Sequence, residues 1–356
     1  MKIKKVLVMA GGTGGHVFPA IAIAQKLKEQ GVEILWLGTR GRMEEQLVPK
    51  HGFEIRYISV RGIRRNGIRA LLKSPFMILH ALFQARQVLK EFKPDVVLGM
   101  GGYASGPGGL AAYLSHIPVV LHEQNAAAGL TNKLLFKIAS KVMLGFPGAF
   151  EGSKVSVVGN PVRRSIIELN SLERDYTSPK LRISIVGGSL GAKALNEIVP
   201  LALKKFDTDC IVVVHQCGKG NSSEVAPLYE GAAFSYKVSD FIDDMDALYR
   251  NTDLIICRAG ALTVAETSCA ALPAIFVPLP TAVDDHQTKN AMFIKNAGAA
   301  CIIAQSDLTP ESLYAQVSEF VRNRASLKQM SDAARSCAIV DATQKAVDII
   351  ESACEK

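Results

Sequence analysis

KKVLVMAGGTGGH at residues 4–16 and LRISIVGGSLGAK at residues 181–193 are the two stretches that decide the fold. Each is a short apolar run that leads through a glycine-rich turn into a helical pattern. The shared positions are Gly11, Gly12, Thr13 and Gly15 in the first stretch and Gly187, Gly188, Ser189 and Gly191 in the second. A strand that passes through such a turn into a helix opens a Rossmann-like domain. The repeat therefore predicts two of these domains in tandem.

Other short apolar runs alternate with helical patterns, which is typical of parallel α/β sheets. The predicted strands are Val6–Met9, Ile34–Leu37, Val96–Leu98, Val119–Leu121, Ile183–Val186, Ile211–Val214, Leu254–Ile256 and Ala274–Val277, and the predicted helices include Pro19–Gln30 and Ala192–Lys205. Turn residues at Gly159-Asn160-Pro161 predict a domain boundary. We therefore expect an α/β protein whose first domain covers residues 1–160 and whose second begins at residue 161.

The charge of the chain is unevenly distributed. A total of 41 Lys and Arg against 33 Asp and Glu gives +8 for 356 residues. Residues 1–150 hold 20 basic and 8 acidic side chains, a net of +12, and residues 151–356 hold 21 and 25, a net of −4. A cationic half indicates an anionic surface or ligand. The single Trp and 6% aromatic content argue against a nucleic-acid-binding module.

Cysteine usage and hydropathy indicate the compartment. The seven Cys residues include no C-x-x-C pair, so we expect a reducing environment. The sequence contains no run of about 18 apolar residues, so we predict no membrane-spanning helix. The amino-terminal apolar segment is too short for a signal peptide and leads directly into the glycine turn.

Three segments of the first half follow predicted strands and carry candidate site residues: Gly11–His16, Gly99–Gly109 and His122–Asn125. Glycines let backbone N–H groups approach an anion, and ligands of open α/β sheets bind at this strand edge. His16, at the end of the first loop, is a candidate general base. Each segment also has a structural alternative. Gly11–His16 could be a tight turn without a ligand, Gly99–Gly109 a flexible loop, and His122–Asn125 a cluster that caps the next helix.

Two further segments, Arg258–Glu266 and Asp284–Asn290, follow strands of the second half. The Gly-Ala-Leu-Thr sequence at 260–263 predicts a helix whose positive end faces a diphosphate. Glu266 lies one turn further on and has the geometry to accept hydrogen bonds from two ribose hydroxyls. Asp284 and Asp285 lack a third ligand and an Asp-x-Asp pattern. We therefore expect no metal and no cofactor.

Seven motifs, in this order over nearly the whole chain, resemble the MurG family: GGTGGHVFPA, GMGGYASGPGG, LHEQN, GNPVR, GGSLGA, FIDDM and CRAGALTVAE. These enzymes are UDP-N-acetylglucosamine:undecaprenyl-pyrophosphoryl-N-acetylmuramoyl-pentapeptide N-acetylglucosaminyltransferases of peptidoglycan synthesis. The resemblance implies a GT-B fold of two Rossmann-like domains facing a cleft. It assigns residues 1–160 to the acceptor and the membrane, residues 161–335 to the UDP-sugar, and residues 336–356 to a helix that returns to the first domain.

The resemblance also implies an inverting transfer from UDP-N-acetylglucosamine to the 4-hydroxyl of lipid I, which yields lipid II. His16 would be the catalytic base, with Glu123 as the alternative. The implied donor contacts are Thr13, Gly14, Gly15, Asn125, Arg163, Ser189, Ile242, Ala261, Leu262, Thr263, Val264, Ala265, Glu266 and Gln287. The implied acceptor contacts are Gly102, Tyr103, His122 and Asn132.

A docking site for an anionic membrane is predicted between residues 61 and 83. Ser74 and Pro75 predict a helix start. The next turns are apolar on nearly every side, so one apolar face remains after another has packed on the domain. The predicted docking residues are Arg64, Arg65, Arg69, Lys73, Phe76, Leu79, Leu82 and Phe83. An exposed apolar face beside basic residues favours the lipid interface. We expect a peripheral protein on the cytoplasmic face of the inner membrane, and the alternative is a helix buried between strands.

Three other functions fit parts of the sequence. A UDP-N-acetylglucosamine epimerase requires carboxylates in the cleft but no membrane face. A diacylglycerol glycosyltransferase shares the donor motifs and differs in the acceptor loop. A non-catalytic sugar-nucleotide-binding subunit keeps the donor loops and requires no base.

Overall fold

The computed structural model describes residues 3–60 and 67–354, with the backbone alone for residues 67–74 and 283. The chain divides into two compact units, one formed by Met1–Val162 with Asp341–Lys356 and the other by Arg163–Val340. Each unit contains its own parallel sheet with helical crossovers. The prediction of two Rossmann-like α/β domains is therefore confirmed.

The first unit is built on a seven-stranded sheet of order β3-β2-β1-β4-β5-β6-β7. Its strands are β1 (Lys5–Ala10), β2 (Glu33–Gly38), β3 (Glu54–Tyr57), β4 (Val96–Gly101), β5 (Val119–Glu123), β6 (Lys141–Leu144) and β7 (Val155–Val157). Its helices up to this point of the chain are α1 (Gly14–Glu29), α2 (Met43–Lys50), α3 (Gly67–Phe92), α4 (Ser105–Leu114) and α5 (Leu130–Phe136).

Strand β1 is apolar from Val6 to Ala10 because helices cover both faces of the sheet. Val6 and Val8 belong to the core that contains α1, whereas Leu7 and Met9 belong to the core on the opposite face, with buried residues of α3 and α4. All four side chains are fully buried. Continuous burial of this kind replaces the polar–apolar alternation of a one-sided sheet.

The second unit has a six-stranded sheet of order β10-β9-β8-β11-β12-β13. Its strands are β8 (Leu181–Val186), β9 (Ile211–Gln216), β10 (Ser235–Ser239), β11 (Leu254–Cys257), β12 (Ala274–Phe276) and β13 (Ala300–Ile302). Its helices are α6 (Arg164–Ile167), α7 (Lys193–Leu203), α8 (Ser222–Val225), α9 (Met245–Arg250), α10 (Ala261–Cys269), α11 (His286–Asn296), α12 (Pro310–Arg322) and α13 (Arg324–Cys337).

The last helix, α14 (Ala342–Ser352), packs in the first unit. Its buried side chains Ala346, Val347 and Ile350 join the core that also contains residues of α1 and β1. This burial fixes the end of the described chain on the amino-terminal sheet.

Two predicted helix starts are wrong. Helix α1 begins at Gly14 and not at Pro19, because Thr13 has the extended conformation of an N-cap and the glycines form the first helical turn. Helix α3 begins at Gly67, so Pro75 lies inside it and not at its first position. A proline inside a helix removes one hydrogen bond to residue i−4, and that loss does not end α3.

Candidate active site

Ligands of doubly wound sheets bind beyond the carboxyl ends of the strands where the strand order reverses. The first sheet reverses between β1 and β4, and the second between β8 and β11. The glycine loops after β1 and β4 and the segments after β8 and β11 are therefore at the expected places. The sequence motifs mark these same four loops.

The loops after β1 and β4 contact each other directly. Gly102 has φ +90°, and a Cβ atom there would lie 2.5 Å from the carbonyl oxygen of Gly11. Only glycine permits this approach, since any side chain would push the two loops apart. Tyr103 follows with 42% exposure, and the guanidinium of Arg42 lies 5.5 Å from the centre of its ring. The predicted acceptor residues Gly102 and Tyr103 thus border the first glycine loop.

Glu44, on α2, determines the shape of the first glycine loop and escaped prediction. Its buried carboxylate accepts a hydrogen bond from the Gly12 amide at 2.9 Å and from the Thr39 hydroxyl at 2.8 Å. The carboxylate therefore occupies one of the amides that were expected to face a ligand anion. Glu44 lies 32 residues from Gly12 in the chain, and no motif indicates the contact.

His16 lies in the first turn of α1, with its imidazole fixed from one side. Its Nδ1 atom is 3.1 Å from the carbonyl oxygen of Gly11. A carbonyl only accepts hydrogen bonds, so Nδ1 carries the proton and Nε2 is the basic nitrogen. A Cβ atom on Gly101 would lie 3.1 Å from Nε2, which places this nitrogen at the loop after β4. The orientation suits a general base.

Glu123, at the end of β5, is surrounded by donors. One oxygen accepts from the Asn125 amide at 3.1 Å and from the Asn125 side chain at 3.3 Å. The other accepts from the Gly129 amide at 3.0 Å and from Asn132 Nδ2 at 2.9 Å. Four hydrogen bonds fill the lone-pair directions of this carboxylate. The geometry therefore favours Glu123 as a brace for the loop that carries Asn125.

His122 and Asn132, both predicted acceptor contacts, are buried inside the first unit. His122 Nε2 donates to the carbonyl of Gly159 at 3.0 Å, and Nδ1 accepts from Gln124 at 3.2 Å. Burial lowers the pKa of His122 to about 4, so the ring is neutral at pH 7. Both ring nitrogens already have partners, and the arrangement is that of a structural histidine.

In the second unit, the loop after β8 holds Ser189, which is exposed. Gly191 has φ +77°, and a Cβ atom there would lie 2.1 Å from the carbonyl oxygen of Cys217. The loop after β8 therefore packs on the loop after β9. The predicted donor residue Ile242 is partly buried and follows β10.

Glu266 on α10 is the best-defined polar group of the second unit. The residue is 8% exposed. Its Oε1 lies 3.3 Å from Arg163 Nη2, and its Oε2 accepts from the Tyr249 hydroxyl at 3.0 Å. Burial raises the pKa of Glu266, and the opposing charge of Arg163 and the hydrogen bond from Tyr249 limit the rise. Tyr249 was not predicted, because no sequence motif marks its position on α9.

The amino end of α10 has Gly260 as its N-cap, so no side chain caps it. The predicted donor residues Ala261, Leu262, Thr263, Val264 and Ala265 form its first turns. Free amides and the helix dipole at such an end favour an anion. The structure thus brings an uncapped helix end and the Glu266 carboxylate together on a single helix.

Gln287 and Asn290 lie on α11, after β12. Gln287 Oε1 accepts from the Leu279 amide at 3.0 Å, and Asn290 Nδ2 donates to the Ala259 carbonyl at 3.2 Å. Asn290 therefore ties α11 to the segment that starts α10. Asp284 and Asp285 have left-handed backbone conformations. Among residues 3–60 and 67–354, no three His, Cys, Asp or Glu side chains are grouped to hold a metal ion.

The predicted docking helix α3 has a strongly apolar exposed face. Phe76 is 79% exposed, Phe83 is 61% exposed and Leu79 is half-exposed. Leu82 is an exception: it packs against the core, because it follows the buried Ala81 on the sheet side of the helix. Arg64 and Arg65 lie outside the described residues, as do the side chains of Arg69 and Lys73.

Exposed apolar side chains continue from α3 onto its neighbours. Helix α3 packs on α4, and α4 packs on α5. The exposed side chains there are Leu110, Tyr113, Leu114, Leu130 and Leu134. Sequence reasoning missed this extension, since α4 and α5 each show only two or three such positions. In the part of the chain that the structure describes, no helix is both long and apolar enough to span a bilayer.

Comparison with known proteins identifies the family. Residues 6–144 match the glycosyltransferase family 28 N-terminal domain, and residues 182–352 match the glycosyltransferase family 28 C-terminal domain. The UDP-N-acetylglucosamine–N-acetylmuramyl-(pentapeptide) pyrophosphoryl-undecaprenol N-acetylglucosamine transferase of Aeromonas hydrophila is 54% identical over 346 residues, which cover 97% of this chain and 96% of the relative.

The transferase of the same name from Psychromonas ingrahamii is 51% identical over 350 residues, which cover 98% of this chain and 99% of that relative. The crystal structure of Acinetobacter baumannii MurG aligns with a TM-score of 0.83 and 44% identity, over 98% of this chain and 99% of that one. The chain therefore belongs to glycosyltransferase family 28 and, within it, to the MurG family.

Proposed function

We propose that this protein transfers N-acetylglucosamine from UDP-N-acetylglucosamine to the 4-hydroxyl of the N-acetylmuramoyl-pentapeptide on undecaprenyl pyrophosphate, converting lipid I into lipid II. The reaction is the one for which the full-length relatives are named. The observation that carries the proposal is the pairing of an uncapped helix end with the buried Glu266 on α10. These two features match the diphosphate and the ribose of one nucleotide sugar.

The second unit supplies the main donor contacts. The amides at the start of α10 receive the diphosphate, and Arg163 adds a positive charge next to Glu266. Glu266 accepts hydrogen bonds from the ribose hydroxyls, while Ser189, Ile242 and Gln287 complete the donor contacts. Fixed donors around a departing diphosphate stabilise its charge in place, which is the largest usual source of catalysis at such a site.

The first unit supplies the base and the acceptor contacts. His16 takes the proton of the attacking hydroxyl through Nε2, because Nδ1 already donates to Gly11. Inversion requires attack on the face opposite to UDP, through a transition state with oxocarbenium character. Glu123 remains the alternative base, and its four donors make it the weaker one. Thr13, Gly14, Gly15 and Asn125 are the donor contacts that we assign to this unit.

We also place the protein at an anionic membrane surface through the exposed face of α3, α4 and α5. A polyprenyl-linked acceptor stays in the bilayer, so its enzyme has to work at the lipid interface. Arg86 on α3 and Lys137 just after α5 are exposed, which adds the positive charge that an anionic headgroup layer attracts. This position corresponds to peripheral attachment at the cytoplasmic face.

The membrane assignment is tested with vesicles that contain anionic phospholipid. Replacing Phe76 and Phe83 by Gln should weaken co-sedimentation, because both side chains leave water on docking. Leu201→Gln, which removes an exposed apolar side chain from α7 of the other unit, is the matched control. Equal binding by the double variant and the control would refute docking through α3.

The enzymatic assignment is tested with radiolabelled UDP-N-acetylglucosamine. Transfer of label into the lipid phase only when lipid I is present supports the proposal. Label transferred to diacylglycerol would identify a lipid glycosyltransferase. Conversion of the UDP-sugar without any acceptor would identify an epimerase, and binding without turnover would identify a non-catalytic subunit.

A further inference from the structure

Gln216, the last residue of β9, is a buried polar side chain to which no motif assigned a role. It is 3% exposed and belongs to the strand between β8 and β10. Each of these neighbouring strands ends in a loop that carries a proposed donor residue: Ser189 after β8 and Ile242 after β10. Gln216 is thus situated between two donor loops without belonging to either.

The carboxamide of Gln216 bonds to both loops. Its Oε1 accepts from the Gly188 amide at 3.1 Å, and its Nε2 donates to the Gly188 carbonyl at 2.9 Å. Nε2 also donates to the Asp240 carbonyl at 2.9 Å. Gly188 immediately precedes Ser189, and Asp240 stands two residues before Ile242. A single planar group therefore fixes the backbone of one loop relative to the other.

Asp240 is held from its other side as well. Its carbonyl accepts from the Gly218 amide at 3.1 Å, and its carboxylate accepts from the amides of Gly220 and Ser222, each at 2.8 Å. Hydrogen bonding from Gly220 and Ser222 lowers the pKa of the Asp240 carboxyl. The loop after β9 thus anchors the start of the β10 loop, and Gln216 extends that anchor to the loop after β8.

We infer that Gln216 is a positioning residue for the nucleotide-sugar donor, setting the spacing between the Ser189 loop and the Ile242 loop. The inference rests on the proposed function, because it takes both loops to contact the same donor. Donor groups that span two loops gain affinity only when the loops are held at the bound distance beforehand. Removing the brace should therefore weaken donor binding and leave the chemical step intact.

The test is calorimetric titration of UDP-N-acetylglucosamine into the full chain carrying Gln216→Met. Methionine keeps the length of the side chain and removes the acceptor and both donated hydrogen bonds. We expect the donor Kd to rise about tenfold or more, with kcat at saturating donor within about twofold of wild type. Ser184→Ala is the control for general destabilisation. Ser184 lies on β8 of the same sheet, and the change removes its buried hydrogen bond to Thr252.

A double-mutant cycle separates positioning from mere stability. Ser189→Ala should weaken donor binding in the wild-type background, and should weaken it less when Gln216→Met is already present. Independent effects would add instead. If Gln216→Met fails to fold, Gln216→Asn decides by the same titration, since it keeps a neutral carboxamide on a side chain that is one methylene shorter and cannot bond to both loops at once.

Two outcomes overturn different statements. Wild-type protein that does not bind UDP-N-acetylglucosamine contradicts the proposed function itself. Wild-type binding with an unchanged Kd in the folded Gln216 variant, or full additivity with Ser189→Ala, contradicts the role of Gln216 alone.

Discussion

Truncation of Glu266 is the sharpest perturbation of the proposed donor site. Both carboxylate oxygens are fixed on the protein side, by Arg163 at 3.3 Å and by Tyr249 at 3.0 Å. Two oxygens offer about four acceptor positions, so capacity for two ribose hydroxyls remains. The pre-set orientation means that the nucleotide does not have to order this side chain on binding.

The magnitude follows from the kind of hydrogen bond that is lost. A hydrogen bond to a charged group contributes roughly 1.5–3 kcal/mol. If Glu266→Ala removes one such contribution from donor binding, the donor KM should rise about 10- to 150-fold. The change also leaves the buried Tyr249 hydroxyl without its acceptor, which should lower the free energy of unfolding by about 1–3 kcal/mol.

Initial rates against donor concentration, at saturating acceptor, measure the effect. A comparison with the 2′-deoxyribose donor makes the assignment specific: wild type should prefer the ribose form, and Glu266→Ala should lose most of that preference. Glu197→Ala, at an exposed ion pair on α7, is the matched control. An unchanged donor KM, or a preference for ribose that survives in the Glu266 variant, would refute the assignment.

Three further perturbations test the remaining chemistry. His16→Ala should lower kcat about 10²- to 10⁴-fold with nearly unchanged UDP affinity, measured by kinetics and titration; lost UDP binding would contradict the role. Glu44→Gln turns an NH₂ group toward amide donors such as that of Gly12, and should lower stability by about 1–3 kcal/mol in urea unfolding. Burial lowers the pKa of His122 and His215 from 6.5 to about 4. Between these two pKa values the folded chain therefore binds fewer protons than the unfolded chain. Acidification from pH 7 to 5 should lower the free energy of unfolding by about 2 kcal/mol per histidine, and urea midpoints that do not change with pH would contradict this.

The central strands were predictable because they are buried on both faces. β1, β4, β5, β8 and β11 are apolar runs between turn residues, and the signal does not depend on their partners. Edge strands lack that signal. β10, with the sequence SYKVS, is polar and largely exposed, and it pairs with β9 at the edge of the sheet. Its strand conformation comes from the ladder with β9, which a pattern of single residues does not encode.

Site residues, like strands, divide into those that a local sequence pattern marks and those that it does not. Loops at the carboxyl ends of strands are marked by glycine and polar motifs, so Gly102 and Glu266 could be singled out from the sequence as candidates. Glu44 and Gln216 were missed because each acts through a hydrogen bond to a distant backbone group, 32 residues away for Glu44 and 28 residues away for Gln216. Every residue has the same backbone amide and carbonyl, so a side chain that binds a distant backbone group leaves no recognisable motif in the sequence.

The distribution of charge separates two electrostatic tasks. Residues 151–356 carry a net −4, yet they contain the helix end that we assign to the diphosphate. Net charge acts over distance and is screened within about 8 Å at physiological salt. A bound diphosphate responds instead to amides and a guanidinium in direct contact, a role that we assign to α10 and Arg163.

The net charge of +12 on residues 1–150 suits attraction to an anionic bilayer, which acts over a longer range. An anionic bilayer presents many charges at once, so attraction adds up over every basic residue near the surface. Within the same residues, the loop amide of Gly12 is occupied by Glu44, and Glu123 is filled by four donors. We therefore assign the positive charge of residues 1–150 mainly to a lipid surface, and the main nucleotide contacts to local groups of the other unit.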